Sequence, residues 1–328
     1  MYGMDIYNKP DYLNYQFQWN TWDFAKFTVF LGPFYLIPTF CVVGRMFYVY
    51  YTMRGANRSG NMQKWLFLSF LMMQVGNFSY IITDFMVLRI PATGILTSLC
   101  ASTQPNQLLK LPYLIAFISS YLSMLYPCIF CANRAIIVFF PKDHMDITAK
   151  LMKICLPITV ILPICLTVAM VPTEGHCTQL TAPYPKGAIM FTLDMKVPIN
   201  EYTHLLTSLF CTMFTFSINI TMLVKVRHIL FNESPFNRNK NYKAELSLTI
   251  TMVSLFIPFL INAVIVILCL RDPSLLGYVL SIRPIGIDTA TVFVPWAFYL
   301  THPIFRKKPT VTQFPVAVQL STVNSSVS

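Results

Sequence analysis

The stretch LPYLIAFISSYLSMLYPCIFCANR (111–134) contains no charged residue until Arg134. About 20 consecutive apolar residues are enough to span the hydrocarbon core of a bilayer as an α-helix. Long core helices of soluble proteins rarely lack charge over this length, so the stretch predicts a transmembrane helix. Arg134 is expected at the end where this helix leaves the bilayer, with Asn133 beside it.

The rest of the chain has the same apolar character. Of its 328 residues, 55% are hydrophobic and only 11% are charged, whereas soluble domains carry roughly 25% charged residues. We therefore predict an all-α integral membrane protein, a seven-transmembrane-helix bundle over residues 27–308. It is preceded by an N-terminal segment (1–26) and followed by a tail (309–328) expected to be disordered. The seven apolar runs are 27–50, 65–86, 111–133, 154–171, 202–224, 246–270 and 284–304.

The distribution of basic residues predicts the orientation of the bundle. Sixteen of the 24 Lys and Arg lie near the C-terminal end of the first helix, after the first, third and fifth helices, or in the tail. Cytoplasmic loops carry an excess of Lys and Arg, so the N-terminus is expected outside and the C-terminus inside. The basic residues do not form one patch with aromatic residues, so no nucleic-acid partner is expected despite a pI of about 9.2.

Polar residues recur at three- or four-residue steps on the third, fifth, sixth and seventh helices, which gives each helix one polar face. These residues either join the helices by hydrogen bonds or, at the outer ends, line a ligand pocket. The pocket candidates are Ser119, Ser208, Asn262 and Asp288. For Asp288, an ion pair with Arg283 or Arg89 is the favoured alternative, and Asp84 is expected at the membrane interface.

Prolines inside the sixth and seventh helices remove backbone hydrogen bonds and can kink a helix. Kinks of this kind are found both in bundles that switch between two packings and in bundles that do not. Pro258, Pro295 and Tyr299 are therefore candidates for a conformational switch.

Groups that could carry catalysis are sparse. An enzyme or pump inside the membrane needs ionisable residues at depth, and the predicted helices have almost none. The five histidines show no spacing that would hold zinc. No enzymatic activity, metal or cofactor is expected.

Two cysteines differ from the other seven because they lie in polar linkers. Cys100 precedes the third helix and Cys177 follows the fourth, and both are expected outside, in an oxidising compartment. A disulfide between them would tie the second outer loop over the mouth of the bundle. The alternative is two unpaired thiols, since the sequence does not give their geometry.

The position of Arg134 also leaves two interpretations open. The side chain either anchors the helix by reaching into water at the inner surface, or its guanidinium pairs with neighbouring helices or a partner protein. An Arg at the inner end of the third helix resembles the G-protein-coupled receptors. Two motifs depart from their common pattern, because Asn133-Arg134-Ala135 replaces Asp-Arg-Tyr and Pro295-Trp-Ala-Phe-Tyr299 replaces Asn-Pro-x-x-Tyr.

A closer resemblance is carried by four stretches of the sequence. They are YNKPDYLNYQFQWNTW (7–22), FYLIPTF (34–40), CANRAIIVFFP (131–141) and RPIGIDTATVFVPWAFYLTHPIFRKK (283–308). In these stretches the chain resembles the nematode serpentine chemoreceptors of the gamma superfamily, and the first and last look most like class U.

The resemblance implies a chemosensory receptor in the plasma membrane of sensory neurons. Such a receptor binds a small-molecule ligand from outside and signals inward through a heterotrimeric G protein, either as a single chain or as a receptor dimer. The resemblance implies that the G protein contacts the inner ends of the third, fifth and sixth helices, at Asn133, Arg134, Lys225, Arg227 and Lys243.

Two other functions compete with a receptor. A ligand-gated cation channel of inverted topology would place most of the basic residues outside, against the charge distribution. An orphan transporter would be expected to have two-fold repeats and charges within the membrane, and the sequence shows no repeat and almost no such charges. The receptor is the interpretation that the sequence favours.

Overall fold

The computed structural model describes residues 4–55, 64–194, 199–232 and 275–302, with single positions at 261, 264, 267, 268 and 305. Its first five long helices are Phe24–Gly55, Lys64–Asp84, Gln107–Phe139, His144–Thr167 and Ile199–Asn232. The second helix continues through a π-helical turn, Phe85–Arg89, into Ile90–Ala92. The C-terminal helix, the predicted seventh, comprises Leu276–Asp288, a π-helical turn at Thr289–Phe293, and Val294–Thr301.

The predicted sixth helix lies almost entirely outside the described residues. The tail (309–328) and three predicted residues on or near that helix also lie outside them, so their expected roles remain predictions: Lys243, Pro258 and Asn262.

Five helices in the described part of the chain are long and apolar enough to cross a bilayer. They are Phe24–Thr52, Lys64–Ala92, Gln107–Phe139, His144–Met170 and Tyr202–Lys225, and they correspond to the first five predicted spans. Large apolar side chains such as Phe34, Phe40 and Leu206 are exposed on their surfaces. Exposed aromatic and aliphatic side chains on such helices are suited to lipid contact.

The third helix is longer at both ends than the sequence predicted. It begins at Gln107 because the side chain of Asn106 accepts hydrogen bonds from the backbone N–H groups of Leu108 and Leu109, which is the N-cap geometry. It runs past Arg134 to Phe139, since apolar helix-compatible residues continue until the residues before Pro141. Arg134 therefore lies within the last two turns of the helix and does not end it.

The inner half of the bundle is closed by aromatic packing between the second, third and C-terminal helices. The rings of Phe70 and Phe298 stack at 4.2 Å, and Phe130 meets Phe70 edge-on at 5.6 Å. Gly76 allows the second and third helices to approach, because a Cβ there would lie 2.9 Å from Tyr126. These contacts make the third helix a central element of the fold.

The opposite end carries the N-terminal segment and a two-stranded antiparallel hairpin, and we refer to it as the outer end. Strands β1 (Gly175–Gln179) and β2 (Ile189–Leu193) pair with Cys177 opposite Phe191. Short helical segments surround the hairpin at Pro10–Leu13, Thr97–Ser102 and Val168–Met170. We call the hairpin and its loop (175–193) the roof.

The roof is fastened on three sides. A disulfide bond joins Cys177 in β1 to Cys100. The backbone N–H of Ile6 donates to the carbonyl oxygen of Cys177 over 3.3 Å, which adds the N-terminal segment to the edge of β1. Gly175 pairs with Asn106, the residue that caps the third helix. The roof is therefore fixed to the helix whose inner end carries Arg134.

Candidate functional site

A buried ion pair connects the second helix to the C-terminal helix beneath the roof. The Arg89 guanidinium donates from Nε to Asp84 Oδ2 over 2.7 Å, and from Nη2 and Nη1 to Asp288 Oδ1 and Oδ2 over 2.7 and 3.0 Å. The side chains of Arg89 and Asp84 are 1% and 0% exposed. Of the alternatives open for Asp288, the structure has the ion pair with Arg89.

A second arginine completes this group of charges. Arg283 Nη2 lies 3.1 Å from Asp84 Oδ1, and Arg283 Nε donates to the Tyr80 hydroxyl over 3.2 Å. The Tyr35 hydroxyl of the first helix donates to Asp288. We call Asp84, Arg89, Arg283 and Asp288 the ionic cluster; its two carboxylates and two guanidiniums have no net charge.

Asp84, which the sequence predicts at the membrane interface, is enclosed by protein. Its carboxylate is buried inside the bundle because two guanidiniums accompany it there. A buried carboxylate is stable only when such charged hydrogen-bond donors replace water.

The two π-helical turns explain how these side chains meet. Residues three or four positions apart share one face of an α-helix, but residues five apart, such as Asp84 and Arg89, do not. The turn Phe85–Arg89 has i→i+5 geometry, which brings the two onto one side. Asp288 directly precedes the second π-helical turn, Thr289–Phe293. Such turns are often found at functional sites.

Tyr184 in the roof loop covers the ionic cluster. It packs against a group of buried residues that includes Ala25, Leu88 and Leu280, from the first, second and C-terminal helices. Burial raises the pKa of the Tyr184 phenol, a hydrogen bond with Ser281 acts in the opposite direction, and the nearby Asp84 carboxylate raises it further. The roof therefore contacts the tops of the helices that carry the cluster.

The outside of the roof is held by an exposed ion pair with the N-terminal segment. Lys186 Nζ lies 2.8 Å from Asp11 Oδ2, and the two side chains are 60% and 72% exposed. The Lys186 ammonium lowers the pKa of the Asp11 carboxyl, and Asp11 raises the pKa of Lys186. Exposed pairs of this kind contribute little to stability.

Aromatic side chains lie between the third and fifth helices next to the ionic cluster. Tyr113, Phe117 and Tyr121 occupy one face of the third helix, and the ring centroids of Phe117 and Tyr121 are 5.5 and 5.4 Å from His204 on the fifth. His204 Nε2 also hydrogen-bonds the Ser120 hydroxyl at 2.9 Å. We call Tyr113, Phe117, Tyr121 and His204 the aromatic cluster. Val87, two residues before Arg89 on the second helix, packs with Tyr113 and Phe117, so the two clusters are neighbours.

The structure describes three of the four predicted pocket residues. Ser119 and Ser208 are buried in the helix packing, and Asp288 belongs to the ionic cluster. The aromatic cluster was missed because His204 was read as one of five scattered histidines. The spacing of four between Tyr113, Phe117 and Tyr121 is the signal that points to a shared face.

At the inner end, Arg134 is 3% exposed and Asn133 is fully buried. Asn133 Nδ2 contacts Met152 Sδ on the fourth helix at 3.1 Å. An anchor would keep its charged group in water, so the burial of Arg134 does not match that alternative. Lys225 and Arg227 on the fifth helix are both exposed, as side chains that meet a partner protein must be.

The two described switch candidates lie in the C-terminal helix after its π-helical turn. Pro295 is buried and has no backbone N–H to donate. The Tyr299 ring faces the Arg45 guanidinium of the first helix at 5.5 Å, and Trp296 Nε1 donates to Thr39 Oγ1 over 3.0 Å. The segment after the ionic cluster therefore contacts the first helix twice. Within the described residues, no three His, Cys, Asp or Glu side chains come together as a metal site requires.

The apolar helices, the disulfide-fastened roof and the buried polar groups below it are the architecture of a multi-pass membrane protein. The family model described as serpentine type 7TM GPCR chemoreceptor Sru matches residues 6–308. The chain belongs to this family of chemoreceptors.

A curated relative and a solved structure agree with this assignment. Serpentine receptor class U-26 of Caenorhabditis elegans is 29% identical over 273 residues, which cover 81% of this chain and 91% of that protein. The crystal structure of squid rhodopsin matches with a TM-score of 0.51 at 14% identity, covering 93% of this chain and 84% of that chain. The match to squid rhodopsin shows the seven-transmembrane fold alone, because the identity is low.

Proposed function

We propose that this chemoreceptor binds a small-molecule ligand at its outer end and signals inward through a heterotrimeric G protein. The observation that carries the proposal is the pair of neighbouring clusters, ionic and aromatic, beneath a roof fastened by the Cys100–Cys177 disulfide. Polar groups with a defined geometry beside aromatic walls are typical of small-molecule sites. In the proposal, the site faces the outside of the plasma membrane of a sensory cell.

The contacts of the C-terminal helix support a route from this site to the inner end. Asp288 is held by Arg89 and Tyr35 at the start of the π-helical turn. Ten residues further on, Phe298 stacks on Phe70 and packs in the same buried core as Phe130 of the third helix. In the proposal, this helix has a second packing, and a ligand that binds one packing more tightly shifts the population toward it.

The inner end is the proposed contact with the G protein. Arg134 is buried in the packing of the third helix, so a change of packing there is needed to present its guanidinium to a partner. Asn133, Lys225 and Arg227 complete the described part of this surface, and Lys243 belongs to the undescribed part. Arg offers a planar fork of donors that suits backbone carbonyl and carboxylate acceptors of a partner.

The test is a G-protein dissociation assay in cells that express the full chain at the surface, with a panel of small organic compounds. Arg134→Gln is expected to abolish the response to an activating compound while surface expression remains. Lys142→Gln is the matched control, because Lys142 is exposed at the inner end outside the proposed contact, and it should respond like the wild type. A ligand-evoked cation current that persists without G proteins would refute the proposal in favour of a channel.

A further inference from the structure

In the ionic cluster, the carboxylate oxygens have more of their hydrogen-bond partners than the guanidinium donors do. Asp288 uses both carboxylate oxygens, since Arg89 donates to each and the Tyr35 hydroxyl donates to Oδ2. Asp84 Oδ2 accepts from Arg89 Nε. Asp84 Oδ1 lies 3.1 Å from Arg283 Nη2, but no hydrogen bond is directed at that oxygen. The carboxylates are therefore engaged, and the loosest contact involves Arg283.

The two guanidiniums differ in how far they are satisfied. Arg89 is 1% exposed and donates from all three of its nitrogens. Arg283 is 28% exposed and, among the described residues, directs one hydrogen bond to the Tyr80 hydroxyl and stacks on that ring at 5.4 Å. A guanidinium has five N–H donors, so beside the Tyr80 hydrogen bond and the Asp84 ion pair the described residues leave further donors of Arg283 for another acceptor.

The surroundings of Arg283 indicate where that acceptor would come from. Val87, two residues before Arg89 on the second helix, packs with Tyr113 and Phe117 of the aromatic cluster. Tyr184 of the roof packs against Leu88 and Leu280, which lie next to the ionic cluster on the second and C-terminal helices. Aromatic rings therefore lie beside the cluster that contains Arg283, where a compound with an apolar body and an anionic end would meet both.

We propose that Arg283 binds the anionic group of the ligand, with a carboxylate as the preferred chemistry, and that the aromatic cluster holds the apolar body. The proposal rests on the proposed function and names the ligand class of that site. A carboxylate accepts two parallel N–H donors from one guanidinium, and such charge-assisted pairs are about twice as strong as neutral hydrogen bonds. A cationic ligand does not suit the site, because each carboxylate already faces a guanidinium.

The test measures thermal stabilisation of the purified full chain in lipid nanodiscs by two acids, benzoate and hexanoate. Benzyl alcohol and hexan-1-ol are the neutral counterparts of similar shape. For ligands this small the dissociation constant is expected on the order of 1 mM. At least one acid should raise the apparent Tm in a saturable way, and its neutral counterpart should not.

Variants then assign the effect to Arg283. Arg283→Gln should weaken acid binding by about tenfold or more, since a charge-assisted pair is lost. Asp84→Asn should strengthen it by about tenfold, because the competing carboxylate is removed. Lys186→Gln, which removes an exposed positive charge from the outside of the roof, should bind the acid like the wild type. If Arg283→Gln does not fold, the comparison of Asp84→Asn with wild type carries the test.

Three outcomes would overturn the proposal: neither acid stabilises the wild type, each alcohol stabilises it as well as its acid, or a folded Arg283→Gln binds the acid as tightly as the wild type. The readout contains no G protein, so it is independent of the signalling test. Acid binding without signalling would leave this inference standing and refute the proposed coupling. If a neutral compound activates signalling and the response is unchanged in Arg283→Gln, the proposed coupling stands and this inference is refuted.

Discussion

Replacing Arg89 by Gln is expected to destabilise the bundle strongly. The side chain is 1% exposed and provides three charged hydrogen bonds, one to Asp84 and two to Asp288. In the variant, Asp84 keeps Arg283, whereas Asp288 keeps only the Tyr35 hydroxyl among the contacts described here. The second and C-terminal helices also lose one of their two ionic links, the Arg89–Asp288 pair, and keep the Asp84–Arg283 pair.

The size of the effect follows from the burial of the carboxylates. Removing one partner of a buried ion pair costs about 3–5 kcal/mol, because the remaining charge is left without compensation. Asp288→Asn should reduce this penalty when combined with Arg89→Gln, since the double variant retains the Asp84–Arg283 pair and has no excess charge. A coupling energy of about 2 kcal/mol is expected from the double-mutant cycle.

The free energy of unfolding is measured by denaturant titration in nanodiscs for the wild type, the two single variants and the double variant. Asp11→Asn is the control for the loss of a carboxylate, because the Asp11–Lys186 pair is exposed, and it should be indistinguishable from the wild type. The reasoning is refuted if Arg89→Gln is as stable as Asp11→Asn, or if the two cluster substitutions are simply additive.

Three further predictions concern the roof and its orientation. Gly277→Ala should destabilise the protein by about 1–3 kcal/mol, because the added Cβ would lie 2.1 Å from the Ala182 carbonyl oxygen. Gly44→Ala is the control, since no atom lies within 4 Å of its added Cβ, and it should be neutral or stabilising. Thermal unfolding measures both. Cys100→Ser should cost about 2–4 kcal/mol and increase proteolysis of the roof, and Cys41→Ser, which removes a free exposed cysteine, should not. A glycosylation sequon introduced around Thr181 should be modified in a glycosylating membrane system, while the native sequon at Asn57 stays unmodified; the opposite pattern would support the inverted channel.

The membrane spans were readable from the sequence because hydropathy is a local property. Uncharged runs such as 111–133 and 202–224 need about 30 Å of apolar surroundings regardless of how the helices pack. Helix ends were less accurate. The third helix begins one turn earlier than predicted because Asn106 caps it, and it continues for more than one turn beyond Arg134. Hydropathy predicts neither the strength of a cap nor the continuation of a helix past a single charged residue.

The sequence indicated the partner of Cys100 more clearly than the partner of Asp288. Only two cysteines lay in polar outer linkers, so Cys100 and Cys177 had no rival partners there, and the structure joins them. Asp288 had two candidate arginines, Arg89 and Arg283, and the sequence left both open. The choice depends on the π-helical turns, for which the sequence carries no recognised signal.

The sequence by itself determined a membrane-embedded helical bundle, its expected orientation and the family to which it belongs, because hydropathy, charge asymmetry and short motifs act along the chain. The tertiary structure alone decided that Asp84 is buried with two arginines, that His204 joins the aromatic face of the third helix, and that Arg134 is enclosed. These features connect residues up to about 200 positions apart, and their energies depend on which helix faces meet and which groups lose water.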